Sequence, residues 1–232
     1  VAQANILDAV TAGVITATIE TDGAADLATL TGTGNAYTIT LANTEVATIA
    51  RLKTINDATT GTVTLNATTI AANFDDTAAN LNSAFTGITS HTGTLTLTDG
   101  VAATIAQLKT INAATTGTVT LNAQTIAANF SDTAANLVSA FTGISSHTGT
   151  IAVTGTAPTV AQANILDAVT AGVITATVET DDATALATLT GTGNAYTLTL
   201  ADDDAATIAE LITINAATTG SITLNAQTIA AN

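Results

Sequence analysis

The chain repeats itself, and that constrains its fold more than any other feature. Residues 1–73 align without a gap to residues 160–232, at an offset of 159, with 15 differences in those 73 positions. A second repeat is nested inside the first. Residues 46–101 recur as 102–157, at an offset of 56, with Ala47–Gly87 matching Ala103–Gly143. TINAATTG occurs twice unchanged, and TINDATTG once. Near-identity over such lengths indicates recent duplication, and a unit that buries its apolar face on neighbouring copies. Asn232 matches Asn73 in mid-unit, so the array is expected to continue.

A finer unit lies below these duplications. Each begins with a helix-like stretch such as AQANILDAVTA (2–12), ATIARLKTIN (47–56) or DTAANLNSAF (76–85). In the second, Ile49, Leu52 and Ile55 fall at i, i+3 and i+6, one apolar stripe. A glycine follows, as at Gly13, Gly61 and Gly117, where a left-handed residue is expected to end the helix. Next come alternating, β-branched segments that read as half-buried strands, starting at 14, 37, 62, 94, 118, 150, 173, 196 and 221. The steps run from 23 to 32 residues. This predicts a repeat α/β solenoid over residues 1–232: parallel strands stacked one per coil, with a short helix per coil. A β-solenoid with little helix and a row of small α+β domains are the alternatives.

Strand alternation assigns faces. Ile15, Ala17, Ile19, Tyr37, Ile39, Leu41, Val63, Leu65, Leu95 and Leu97 point inward. About a quarter of the chain is threonine, and much of it stands opposite them. Thr16, Thr18, Thr38, Thr40, Thr62, Thr64, Thr96, Thr98, Thr118, Thr120, Thr175, Thr177, Thr197 and Thr199 form the candidate interaction face. Threonine combines β-propensity with water compatibility, and a regular array of it could pack on a neighbour or bind glycan or ice. Regular Thr-x-Thr files resemble the ice-binding face of insect antifreeze proteins, which use shorter, disulfide-stapled coils.

Charge excludes one class of partner. With 18 acidic and 3 basic side chains, the net charge of −15 argues against nucleic acid, which needs clustered Lys and Arg. No apolar run approaches the ~18 residues of a membrane-spanning helix. Without cysteine there is no disulfide framework, thiolate metal site or thiol catalysis. Acidic residues gather between strand and next helix, as at ETDGAAD (20–26), Asp75, Asp76, Asp99, Asp132, ETDD (179–182) and Asp202–Asp204. Helix capping accounts for such residues. Stacking would also line carboxylates along one edge, which makes calcium a candidate cofactor there, with Asp22, Asp181, Asp182, Asp202, Asp203 and Asp204 as weak candidate ligands.

The remaining motifs carry no catalytic reading. His91 and His147 sit in equivalent SHTG turns two coils apart, ~10 Å, too far to share a zinc. Their preceding serines lack an orienting acid. GTGNAY, at 32–37 and 191–196, has two glycines of a dinucleotide fingerprint but leads from helix into strand, the reverse of what phosphate binding needs. Repetition implies many equal sites rather than one, and no enzyme is expected.

The strings SDTAANL and TVAQANILDAV, each followed by a threonine-alternating strand, resemble those of giant repeat-containing surface proteins of cyanobacteria and other Gram-negative bacteria. The resemblance covers essentially the whole chain. It implies type I secretion and a place in a surface layer, adhesin or extracellular fibre. Many such proteins carry haemolysin-type calcium nonapeptides, which this sequence lacks. The expected function is therefore structural: a segment of a secreted, extracellular or cell-surface repeat protein that self-associates laterally or end to end. The alternative is a binding module that engages glycan or ice through its threonine face.

Overall fold

The computed structural model describes residues 1–43, 45–98, 100–201 and 205–231, the last without its side chain. Short helices alternate with short strands throughout, and every strand pairing among the described residues is parallel. That is a repeat α/β arrangement of solenoid type. The chain falls into two compact units, Val1–Asn122 and Ala123–Asn232.

The first unit runs α1 (Ala2–Val10), β1 (Thr16–Thr18), α2 (Ala24–Leu27), β2 (Ala36–Thr40), α3 (Ile49–Asp57), β3 (Val63–Thr64), α4 (Ala67–Ala71), β4 (Phe74–Asp76), α5 (Ala78–Phe85), β5 (Leu95–Leu97), α6 (Ile105–Ala114) and β6 (Val119–Thr120). Its strands form two sheets, β1-β2-β3 and β4-β5-β6. Thr16 stands opposite Ala36 and Ile39 opposite Val63, so one coil adds 20 to 24 residues. Ile49, Leu52 and Ile55 of α3 are buried, as the stripe predicts, and α3 packs on α5, which buries Leu81, Ala84 and Phe85.

The second unit runs α7 (Ala123–Ala127), β7 (Phe130–Asp132), α8 (Ala134–Phe141), β8 (Ile151–Val153), α9 (Val160–Val169), β9 (Ile174–Thr177), α10 (Ala183–Leu186), β10 (Ala195–Thr199), α11 (Ile208–Ala217), β11 (Ile222–Thr223) and α12 (Ala226–Ala231). Here the five strands make one sheet in chain order, β7 to β11.

The nine expected strands are present, and two more, β4 and β7, fall in the two 32-residue steps. Their sequences, FDD and FSD, have one buried residue each, the phenylalanine, and no alternation to read. Strand β3 also stops earlier than TVTLNA suggests. Asn66 leaves the ladder to cap α4, accepting from the Thr69 N–H at 2.8 Å.

The glycine reading needs a correction. Positive φ occurs at Gly32, Gly34, Gly87, Gly143, Gly155, Gly191 and Gly193, not at Gly13, Gly61 or Gly117. Gly61 is required for close approach instead: a Cβ there would collide with the Tyr37 carbonyl of the preceding coil.

Helix starts are set mostly by threonine rather than by the acids. Thr48, Thr77, Thr104, Thr133, Thr159 and Thr207 each accept a backbone N–H of the first turn. Gln107, Gln162 and Glu210 complete reciprocal capping boxes. Donation from the Thr207 backbone, then from the Thr207 and Thr184 hydroxyls, holds Glu210 below the usual carboxylate range.

Candidate interaction surfaces

The fourteen threonines of the candidate face are each exposed or half-exposed; eleven lie in strands, while Thr62, Thr98 and Thr118 stand just outside β3, β5 and β6. Register decides which of them line up. Thr18 stands beside Thr38, Thr40 beside Thr64, Thr96 beside Thr120, Thr177 beside Thr197, and Thr199 beside Thr223. Thr16 meets Ala36, and Thr175 lies between Ala152 and Ala195, so alanine interrupts the files. In β4, Asp75 takes the place beside Thr96.

The threonines that hold coils together are different ones, and they are buried. Thr59 Oγ1 accepts from the Tyr37 and Gly61 N–H groups at 2.8 Å each and donates to the Tyr37 carbonyl at 2.7 Å. Thr218 repeats this on Tyr196 and Gly220. Thr69 and Thr228 accept from the N–H of Ala47 and Ala206 in the neighbouring coil. Asn35 and Asn194 accept from Ile15 and Ile174 N–H and donate to Asp8 and Asp167. The signal that could have found them is position: Asn35, Thr59, Asn194 and Thr218 lie between helix and strand and Thr69 and Thr228 within the short helices α4 and α12, each at the same place in both copies and outside the strand alternation.

Carboxylates at the coil edges act locally. Asp22 accepts from Gly23 N–H at 2.8 Å and Asp181 from Asp182 N–H at 2.9 Å, while Asp182 caps α10 through Ala185 N–H at 2.6 Å. Asp132 accepts from Thr133 N–H and Asn136 Nδ2, and Asp76 does the same with Thr77 and Asn80. Among the described residues no group of three or more His, Cys, Asp and Glu is placed to hold a metal ion. The candidates Asp202, Asp203 and Asp204, and the acidic-edge residue Asp99, lie outside the described residues.

His91 and His147 occupy turns, yet their rings are core. Both are almost fully buried. His91 lies 5.5 Å from the Phe74 ring and 5.0 Å from that of Phe85; His147 lies 5.3 and 5.1 Å from Phe130 and Phe141. His147 Nε2 pairs with the Ala128 carbonyl at 2.8 Å, so this nitrogen carries the proton; Nδ1 has no partner. Neither ring nitrogen of His91 has a hydrogen-bond partner. Burial lowers both imidazole pKa values, at His147 against a smaller opposing pull from the Ala128 carbonyl. The repeated spacing Phe74, Phe85, His91 and Phe130, Phe141, His147 was the available clue.

The remaining surface feature is apolar. Among the described residues of the first unit, β1 pairs with β2 alone, and Ile6, Leu7 and Val10 of α1 are exposed. Among those of the second, β11 pairs with β10 alone, and Ile208 and Ile212 of α11 are exposed beside a cavity of about 470 Å³ that Leu211, Ile222 and Leu224 also line. No helix among the described residues is long and apolar enough to cross a membrane. Comparison with protein families, with curated proteins and with solved structures finds no match.

Proposed function

We propose that this chain is a structural segment of an extracellular or cell-surface repeat protein, a fibre, surface-layer or adhesin-stalk component that works by association of its coils. The observation that carries the reading is the repetition itself: the same parallel strand-and-helix coil recurs in both units, so each exposed surface is presented again at regular steps. A surface multiplied in this way favours association with further copies of itself. The acidic, cysteine-free composition and the repeat style support a secreted location.

The experiment is negative-stain electron microscopy with sedimentation velocity on the chain at rising concentration, in calcium and in EDTA. Regular fibres or sheets that grow with concentration are the expected result. Their loss in EDTA would bring the acidic edges in as calcium bridges. Single dispersed particles at every concentration would overturn the structural reading, and a glycan screen of the threonine face would then be the next step.

A further inference from the structure

One turn position is filled four times along the chain. Asn35, His91, His147 and Asn194 each stand in the turn leading to a strand, and each bridges in parallel to a threonine of the next coil, Thr59, Thr115, Thr170 and Thr218. Each carbonyl accepts from the residue after that threonine, Thr60, Thr116, Ala171 and Thr219, at 2.7 to 3.0 Å. The two histidine turns also reach back: Thr92 donates to the Ile70 carbonyl and Thr148 to that of Ile126, both at 2.8 Å. They therefore tie their coil to the chain on both sides of it.

The side chains in this position differ in kind. Asn35 accepts from Ile15 N–H and donates to Asp8, and Asn194 does the same with Ile174 and Asp167. The histidines stand instead among phenylalanines, at 0% and 1% exposure. Neither nitrogen of His91 has a hydrogen-bond partner, and the single partner of His147, the Ala128 carbonyl, is already used by the neutral ring. A proton added to either ring finds no acceptor.

Nor does it find a counter-charge. On the elements around His91 the ionisable groups are Asp75 and Asp76 of β4 and Lys109 of α6; α4, α5, β5 and β6 carry none. Asp75 is exposed beside Thr96, Asp76 accepts from Thr77 N–H and Asn80 Nδ2, and Lys109 can only oppose a second cation. Around His147 they are Asp132 of β7, which accepts from Thr133 and Asn136, and Asp167 of α9, which accepts from Thr190 and Asn194; α7, α8, β8 and β9 carry none. Phenyl faces give a cation only a weak pull, well short of the cost of an uncompensated buried charge. A protonated ring therefore has to leave its pocket for water, and the turn that carries it has to move with it.

We propose that the His91 and His147 turns are acid-released joints of the coil stack: protonation expels each imidazole, breaks the turn's hydrogen bonds on both sides and uncovers its phenylalanine pair, while the Asn35 and Asn194 turns stay closed. This goes beyond the association reading and does not depend on it. In the open turn the imidazole titrates near 6.5, and in the closed turn burial holds it lower. Opening is thus insensitive to pH above ~6.5 and becomes easier below it, by about 10-fold per turn one unit further down.

The test is NMR-detected amide exchange on the whole chain at about pH 7.5 and about pH 5.5, with each rate divided by its unprotected value at that pH. The protection of Thr92, Thr116, Thr148 and Ala171 is expected to fall about 10-fold between the two, with Thr60 and Thr219 unchanged. The fall should disappear in the double variant His91→Leu, His147→Leu, and its persistence there would overturn the proposal. An equal fall in all four turns would make the effect global and overturn it too. So would imidazole nitrogen shifts showing that both rings protonate near pH 6.5 while the turns stay protected. Should the double variant fail to fold, the histidine and asparagine turns of the unaltered chain still decide.

Discussion

Threonine does two jobs in this protein, and single substitutions separate them. Thr59 is buried, and its hydroxyl serves two N–H groups and one carbonyl of the neighbouring turn and coil. Thr59→Val keeps the shape and leaves those groups unpaired, so it should cost about 3 kcal/mol in urea unfolding. Thr38→Val, on the exposed face of β2, should change stability by no more than about 0.5 kcal/mol. The two histidines add a pH dependence. Unfolded, each titrates near 6.5, whereas burial keeps the folded imidazole neutral to lower pH. Below pH ~6.5 the unfolded chain therefore binds protons that the folded chain resists, and stability falls as the pH drops toward the folded pKa. Above that pH the contribution is complete and constant. Urea midpoints measured from pH 7.5 down to 5.5 (about the histidine range) should decline. The double variant His91→Leu, His147→Leu should flatten that decline.

Elements are short here, so their ends matter more than their propensities. The capping box on α11 joins Thr207 and Glu210 by donations at 3.2 and 2.9 Å in opposite directions. Thr207→Ala should lower stability by about 1 kcal/mol in thermal or urea unfolding, with Thr207→Ser largely restoring it. Alternation and helical stripes made most elements legible, because Ile, Leu and Val at periods of two and of three to four record which side is buried. Tyr37, Ile39 and Leu41 on β2 show this as clearly as Ile49, Leu52 and Ile55 on α3. What stayed hidden was held by single contacts. Strands β4 and β7 carry one phenylalanine each, too short for a period, and α4 begins at an asparagine that reads equally well as the end of a strand. The outward threonines were readable from the alternation, but their breaks at Ala36, Ala152 and Ala195 depend on register, which spacing alone does not fix. The histidines looked like turn residues because their backbone is a turn; their burial comes from phenylalanines 6 and 17 residues earlier.

At the scale of the molecule, one sequence in two environments makes an internal control. The stretch VAQANILDAVTAGVITAT occupies positions 1–18 and 160–177. Digestion therefore yields the same peptide from both places, and hydrogen exchange should give it a two-population mass envelope, fast for the open α1 copy and slow for the covered α9 copy. A single envelope would mean that the cover from α8 contributes nothing to protection. The same duplication bears on how the chain finds its fold. The apolar face of α8 has no chemical means of telling α1 from α9, so connectivity must choose. Eighteen residues separate α8 from α9, and 123 separate α1 from α8. Closing the longer loop costs only about 1.7 kcal/mol more, a preference but not an exclusion. Synthesis runs against even that margin. At ~5–20 residues per second, α8 is complete a few seconds before α9 exists. During that interval the matching face of α1 is already present and that of α9 is not, so the early partners open to α8 are not confined to the native one.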